Sequence, residues 1–358
     1  MTTIQGMPNL GPGLRLHLNE NTAGCSPRVL AAIRALTPLD VSTYPDYEAA
    51  VRETAEYLGV DPDWVVLTNG LDEGLLLTAI GYLGHRAPEA LVALGATHTP
   101  LSGLPEQILA LPAFEPYTIN AKALGARTIA LPMNDQFAYP TDAVLAAVGP
   151  NTRLVHVNTP HNPSGQTVSE ADVRRVAERA GHAVVLLDEA YHDFHGSHLL
   201  HLVREYPNVI VGRTFSKAHG LAGMRVGVLI APPALLAPIR YVMPLLNLNA
   251  VAVAALRAAL TDTEYVPWSV AQATESKALL YEVLTRLGLK HWTSAANFVL
   301  VYGGDRTPDL VRGLIARGVL VRDRSKEPGC AGCFRVTAGV VEHTRKAVAA
   351  LEELCAKP

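Results

Sequence analysis

A single lysine, Lys217, stands in the stretch RTFSKAHGLAGMRVG (213–227), directly after Ser216 and eight residues before Arg225. Only 18% of the 358 residues are charged, and an amine set between two apolar runs calls for a chemical reason. At a strand end, among apolar residues and near an arginine, the neutral amine gains on the ammonium, and it is the neutral form that condenses with an aldehyde. Ser216 and Arg225 add a hydroxyl and a planar cationic fork. The helix start near Leu71, Asp72 and Glu73 offers free N–H groups, so together these residues suit a phosphate. An aldehyde that also bears a phosphate is pyridoxal 5'-phosphate. Asp188, closing the run VVLLD (184–188), is expensive to bury alone and is satisfied by a protonated pyridine nitrogen, which keeps such a ring an electron sink.

These residues need elements to hold them. Polar groups follow a series of short, β-branched apolar runs: WVVLTNG (64–70), ARTIALP (126–132), TRLVHVNTP (152–160), HAVVLLDEAY (182–191), NVIVGRTFS (208–216) and RVGVLIAP (225–232). Helical patterns alternate with them, at LDEGLLLTAIGYL (71–83) and at SEADVRRVAERAG (169–181), where Ser169 reads as the cap, Asp172 follows three residues on and a glycine closes. The alternation predicts an α/β fold with a mostly parallel central sheet flanked by helices, its ligand beyond the carboxyl ends of the strands. After residue 245 the pattern becomes two long helices (249–260 and 270–288), strands in NFVLVYG and GVLVRDR, and a last helix in EHTRKAVAALEELCA. We therefore expect a large α/β domain over 41–247 and a smaller α+β domain made of 1–40 plus 248–358.

Composition narrows the function classes. Thirty basic and thirty-three acidic residues, with no run of like charge, leave no footprint for nucleic acid. The opening residues read as no leader and no apolar stretch reaches membrane length, so a soluble, cytoplasmic protein is expected, with no membrane partner. Of four cysteines, Cys25 and Cys355 stand apart, and Cys330 and Cys333 form one CxxC without a second pair, which argues against a metal site and reads as two thiols in a reducing compartment. A hydrophobic share of 49% supplies both a buried sheet and a subunit interface.

The stretches LNEN (18–21), YPD (44–46), NGLDEG (69–74), PAF (112–114), NTPHNPSG (158–165), DEAYHDF (188–194), RTFSKAHGLAGMRVG (213–227) and RDRSKEPGCAGCFRVTAG (322–339) occur in an order that resembles the fold-type I, class I/II aminotransferases, most closely the histidinol-phosphate aminotransferase group. The resemblance runs from about residue 16 to 350. It implies that Lys217 forms the Schiff base with pyridoxal phosphate and later shuttles a proton, and that Asp188 pairs with the pyridine nitrogen. It further implies that Asn162 and Tyr191 bond the ring hydroxyl oxygen, that Phe114 stacks on the ring, and that Ser216 and Arg225 hold the phosphate with the backbone at Leu71 and Asp72. Tyr44 is expected to reach the cofactor phosphate of a second subunit, implying a homodimer with shared active sites. Arg335 is expected on the substrate carboxylate, Arg322 on a substrate phosphate, and Asn21 at the substrate.

The activity so implied is amino transfer between L-glutamate or 2-oxoglutarate and histidinol phosphate or imidazole-acetol phosphate. Aromatic or other amino acids, and decarboxylation of threonine phosphate, stay open beside it, because these chemistries begin alike. A cofactor-sensing regulator lacks its DNA-binding domain, and a dinucleotide oxidoreductase lacks its G-x-G-x-x-G turn. Two departures stand out. Thr22 follows LNEN where the family usually has proline, and MPNLGPG (7–13) stands in place of a Pro-Tyr element. About twenty extra residues at 85–104, with His98 among them, read as a packed flap or dimer-contact segment.

Overall fold

The structure, a computed structural model, describes residues 12–84 and 103–356. Most of the extra segment 85–104, including His98, lies outside them.

In chain order the strands are β1 (Leu14–Arg15), β2 (Val65–Asn69), β3 (Glu106–Leu111), β4 (Arg127–Pro132), β5 (Thr152–Asn158), β6 (Val184–Asp188), β7 (Val209–Thr214) and β8 (Val226–Ile230), then β9 (Lys290–His291), β10 (Phe298–Tyr302), β11 (Val319–Leu320), β12 (Arg322–Asp323) and β13 (Cys333–Thr337). Seven of them form one sheet in the order β2-β8-β7-β6-β5-β3-β4. Every neighbouring pair from β7 to β4 is parallel, and β8 runs antiparallel to both β7 and β2. The reversal at β8 has a simple cause: residues 215–225 hold one short 3-10 turn and are too few for a helical crossover, so the chain doubles back. The lysine stretch is that connection.

Strands β5 to β8 are buried along their whole length, as strands covered on both faces must be. Their side chains divide with a period of two: Val185 and Leu187 of β6 join one apolar core with Val155, Val157 and Val211, while Val184 and Leu186 join another with Leu154, Ile210 and Leu229. The second core also takes Leu71, Leu75 and Leu83 from the helix Gly70–Leu83, so the phosphate-side helix is anchored to the sheet that carries the lysine.

A separate antiparallel sheet, β12-β13-β10-β9, packs under the helices Tyr265–Arg286, Thr307–Ala316 and Val341–Cys355 around its own core, which includes Leu280, Leu284, Leu310, Leu314 and Leu351. Local departures from the sequence reading have local causes. GVLVRDR is two strands, since β11 pairs in parallel with β1 while β12 pairs with β13, the chain changing sheets at the buried Val321. The helix expected from 270 starts at Tyr265, because Pro267 falls in a first turn where no N–H is needed. Ser169 does accept the Asp172 N–H at 3.1 Å, but the helix it opens ends on Ala180 with φ −94°, so Gly181 supplies no left-handed cap. Cys330 lies in the loop before β13 and Cys333 opens that strand, both buried. Among the described residues no helix is long and apolar enough to cross a membrane, and no cluster of His, Cys, Asp or Glu is suited to a metal.

Candidate active site

The carboxyl ends of β5, β6 and β7 bring Asn158, Asp188, Tyr191, Ser216 and Lys217 to one edge of the sheet. Asp188 is 5% exposed. Its Oδ1 accepts from the Ala190 N–H at 3.0 Å and its Oδ2 from the Tyr117 hydroxyl, both neutral donors. Burial without a cation pushes its carboxyl up to about 6. The next residue contrasts with it, since Glu189 is buried against Arg213, which donates from Nε and a terminal nitrogen at 2.9 and 2.7 Å.

Residues 16–19, which follow β1 and are tied to β13 where Leu16 accepts the Thr337 N–H at 2.9 Å, reach this edge of the sheet. Lys217 Nζ donates to the Leu18 carbonyl at 3.2 Å and lies 5.8 Å from the centre of the Tyr191 ring. Asn19, buried and held at φ +55°, donates to the Tyr191 hydroxyl at 2.9 Å, and its own backbone is tied to Thr337 and Asn297. Asn21, the residue expected at the substrate, spends its amide on the Ala218 carbonyl and on the hydroxyls of Tyr265 and Ser269, so Asn19 is the asparagine of LNEN that meets the site's aromatic residue. Thr22 accepts the Val340 N–H at 2.9 Å where the last helix begins, a bond that needs its hydroxyl and that proline could not make.

The start of the helix Gly70–Leu83 meets Arg225 in a tight cradle. Gly70 has φ +75°, and a Cβ on it would lie 2.3 Å from the Arg225 guanidinium. A Cβ on Gly227 would lie 2.4 Å from the Leu71 nitrogen. Arg225, itself at φ +53°, donates to Asp72 at 2.8 Å and to the Ala222 carbonyl at 3.3 Å. The Asp72 contact is half exposed and worth at most about 1 kcal/mol, so a better anion can take the guanidinium over. Ser216 is buried beside Thr214, whose hydroxyl donates to it at 3.0 Å.

Arg335 on β13 is buried, donates to the Asn162 side-chain oxygen and to the His17 carbonyl at 3.0 Å, and leaves its Nε without a partner. Burial, with Arg324 and Arg322 nearby, presses the guanidinium well below its ordinary range, since the acidic group close to it, Glu327, is paired with Arg324. Arg322 lies opposite it in the strand register, and its side chain makes no hydrogen bond or ion pair among the described residues. Asn162 thus faces Arg335 and, through its N–H, Asn158 at 2.8 Å. Phe114 packs edge-on to Tyr117 at 5.9 Å and shares a hollow with Tyr117, His156, Asn158 and His161. Tyr44 is 78% exposed and takes no part in this chain's cleft.

His161 gave no signal in the sequence beyond its place in NTPHNPSG. Its Nε2 lies 2.9 Å from the Pro112 carbonyl and must donate, so Nδ1 accepts from Ser164 at 2.7 Å. Burial takes its pKa down to about 4, so it is a neutral brace between the Phe114 segment and the Asn162 loop.

These groups fit pyridoxal phosphate. A buried carboxyl lacks a cation, a glycine-lined cradle presses an arginine toward a helix start, and an amine is held only by a carbonyl, matching the ring nitrogen, the phosphate and the aldehyde in turn. Independent comparison agrees. A profile of the class I and II aminotransferases matches residues 105–351. The chain is 37% identical to a histidinol-phosphate aminotransferase of Symbiobacterium thermophilum, over 95% of this chain and 90% of the relative, and 35% identical to histidinol-phosphate aminotransferase 2 of Ralstonia nicotianae, over 96% and 89%. The crystal structure of a histidinol-phosphate aminotransferase from Sinorhizobium meliloti in complex with pyridoxal 5'-phosphate superposes with a TM-score of 0.78 at 25% identity, covering 96% of this chain and 91% of the other. With its central sheet, its lysine loop and its sequence all in agreement, the chain belongs to the class I and II aminotransferases, enzymes that work with pyridoxal 5'-phosphate.

Proposed function

We propose that this chain transfers an amino group between L-glutamate or 2-oxoglutarate and histidinol phosphate or imidazole-acetol phosphate. The observation that carries the choice of substrate is the register of β12 and β13, which sets Arg322 directly opposite Arg335, two guanidiniums that form no ion pair among the described residues, the nearby Glu327 being taken by Arg324. Histidinol phosphate has no carboxylate; its dianionic phosphate can use both forks, whereas the α-carboxylate of glutamate needs Arg335 alone.

Bound pyridoxal phosphate supplies an aldehyde for the amino group and a ring that accepts electrons from the substrate Cα. The chain's own residues do the rest. Lys217 is the amine that holds the aldehyde carbon and, once released, carries the proton from the substrate Cα. Asp188 holds the proton on the ring nitrogen, Tyr191 and Asn162 orient the ring hydroxyl oxygen, and Phe114 covers a ring face. Ser216, Arg225 and the N–H groups at Leu71 and Asp72 bind the phosphate. Asn21 stays one bond removed, bracing the loop after Lys217 through Ala218.

A homodimer belongs to the same proposal: Leu39, Val41, Tyr44, Tyr241 and Leu245 are each more than 60% exposed, side chains a subunit interface would cover, and Tyr44 would meet the partner's cofactor phosphate there. A cytoplasmic setting suits the unbonded thiols of Cys330 and Cys333.

The test is to titrate the yellow, cofactor-loaded protein with histidinol phosphate, L-glutamate and aromatic amino acids. The visible band should bleach at the lowest concentration with histidinol phosphate, and Arg322→Ala should weaken that response at least tenfold more than the response to glutamate. Bleaching by an aromatic amino acid at lower concentration would overturn the assignment.

A further inference from the structure

Asp188 has a partner that none of the roles above uses. The Tyr117 hydroxyl donates to Asp188 Oδ2 from the helix Glu115–Ala123, while the Ala190 N–H takes Oδ1, so two donors on different elements fix the plane of the carboxyl. Each oxygen keeps a second lone pair for a ring N–H. Tyr117 is itself held from behind. The ring of His156, on β5, lies 4.4 Å from the Tyr117 ring at an interplanar angle of 30°. Gln107, on β3, accepts from His156 Nε2 at 2.9 Å, and its amide donates to the Tyr117 carbonyl at 3.0 Å and to Thr128 at 2.9 Å. One buried glutamine therefore grips both the tyrosine and the ring stacked on it. That grip makes Nε2 the protonated nitrogen of His156, and burial takes the imidazole down to about 3, so the phenol rests against an uncharged ring.

We infer that Tyr117, clamped by His156 and Gln107, is a positioning residue that acts through Asp188 on the ring nitrogen of the cofactor. The inference rests on the pyridoxal-phosphate reading of the site. A hydroxyl donated to a carboxylate favours the ionised form, so Tyr117 lowers the proton affinity of Asp188 and leaves the shared proton on the ring. The other charged groups facing Asp188, Asp72 and Glu189, act in the opposite direction. Without the phenol, Asp188 competes for that proton by about one further unit, roughly tenfold in its distribution.

Tyr117→Phe keeps the stacked ring and removes only the hydroxyl. Two readouts apply to the full chain. Infrared titration of the Asp188 carboxyl, assigned with Asp188→Asn and isotope-labelled aspartate, should move up by about one unit in Tyr117→Phe. With pyridoxal phosphate labelled with 15N in the ring bound, the nitrogen resonance should shift toward the unprotonated position, and in an Asp188→Asn background Tyr117→Phe should have no further effect on it. Normal cofactor uptake with an unmoved resonance, or equal effects of Tyr117→Phe with and without Asp188, overturns this inference alone. Failure of the unaltered chain to bind pyridoxal phosphate overturns the proposed function along with it, while the infrared titration still reports whether Tyr117 sets Asp188.

Discussion

Asp188 ought to destabilise the cofactor-free protein, and by an amount that depends on pH. Its carboxyl rises from 3.8 to about 6 on folding because it is buried with two neutral donors and no cation. Below pH about 4 the folded and unfolded chains both hold the proton and the residue makes no pH-linked difference. Between about 4 and 6 the folded chain keeps a proton that the unfolded chain has released, so rising pH favours unfolding. Above about 6 both forms are ionised and the full penalty stands, close to 3 kcal/mol at about 1.4 kcal/mol per unit. Asp188→Asn removes the charge and can still accept from Tyr117. Urea unfolding of both proteins, stripped of cofactor, should show no difference in this pH-linked part near pH 4 and a gain of about 3 kcal/mol for Asp188→Asn near pH 7.5. Saturating pyridoxal phosphate should then stabilise the unaltered chain more than the variant, since only the carboxylate gains a cationic partner. A stability difference that stays flat across the pH range, or one that favours the variant more at pH 4 than at pH 7.5, would refute the view of Asp188 as a charge waiting for its cation.

Two further substitutions probe the surroundings. Gly70→Ala places a Cβ 2.3 Å from the Arg225 guanidinium at a φ of +75°, so affinity for pyridoxal phosphate should fall at least tenfold by fluorescence titration while the circular dichroism spectrum is kept. Glu189→Gln strands the buried Arg213 charge and should cost about 3–5 kcal/mol in urea unfolding at neutral pH.

The polar residues at the strand ends were readable because the apolar runs before them mark where each strand must stop. VVLLD leads to Asp188 and NVIVGRT to Ser216 and Lys217 for that reason, and the sheet that carries them followed from the same runs. The direction of β8 was not readable from its composition, since a buried strand reads alike in either direction; only the shortness of residues 215–225 constrains it. The groups that complete the site escaped for a different reason. The His17 and Leu18 carbonyls are backbone atoms with no residue signature, and Asn19 and Asn21 look alike until φ +55° at Asn19 turns one of them inward. Tyr117 and His156 look like core aromatics, and their polar ends acquire meaning only when β3, β5 and β6 lie side by side. Thr22 reads as a departure from a family pattern and turns out to accept the N–H that opens the last helix.

The central claim is that Lys217 is the residue that captures the cofactor. The most direct measurement is to load the protein with pyridoxal phosphate, reduce it with borohydride and map the modified peptide by mass spectrometry. One cofactor-derived adduct per chain is expected, on the Lys217 side chain, and none on Lys277, which is buried and donates to the Ser294 carbonyl at 2.8 Å. An adduct on a different lysine, or no stable adduct after reduction of a yellow protein, would contradict it.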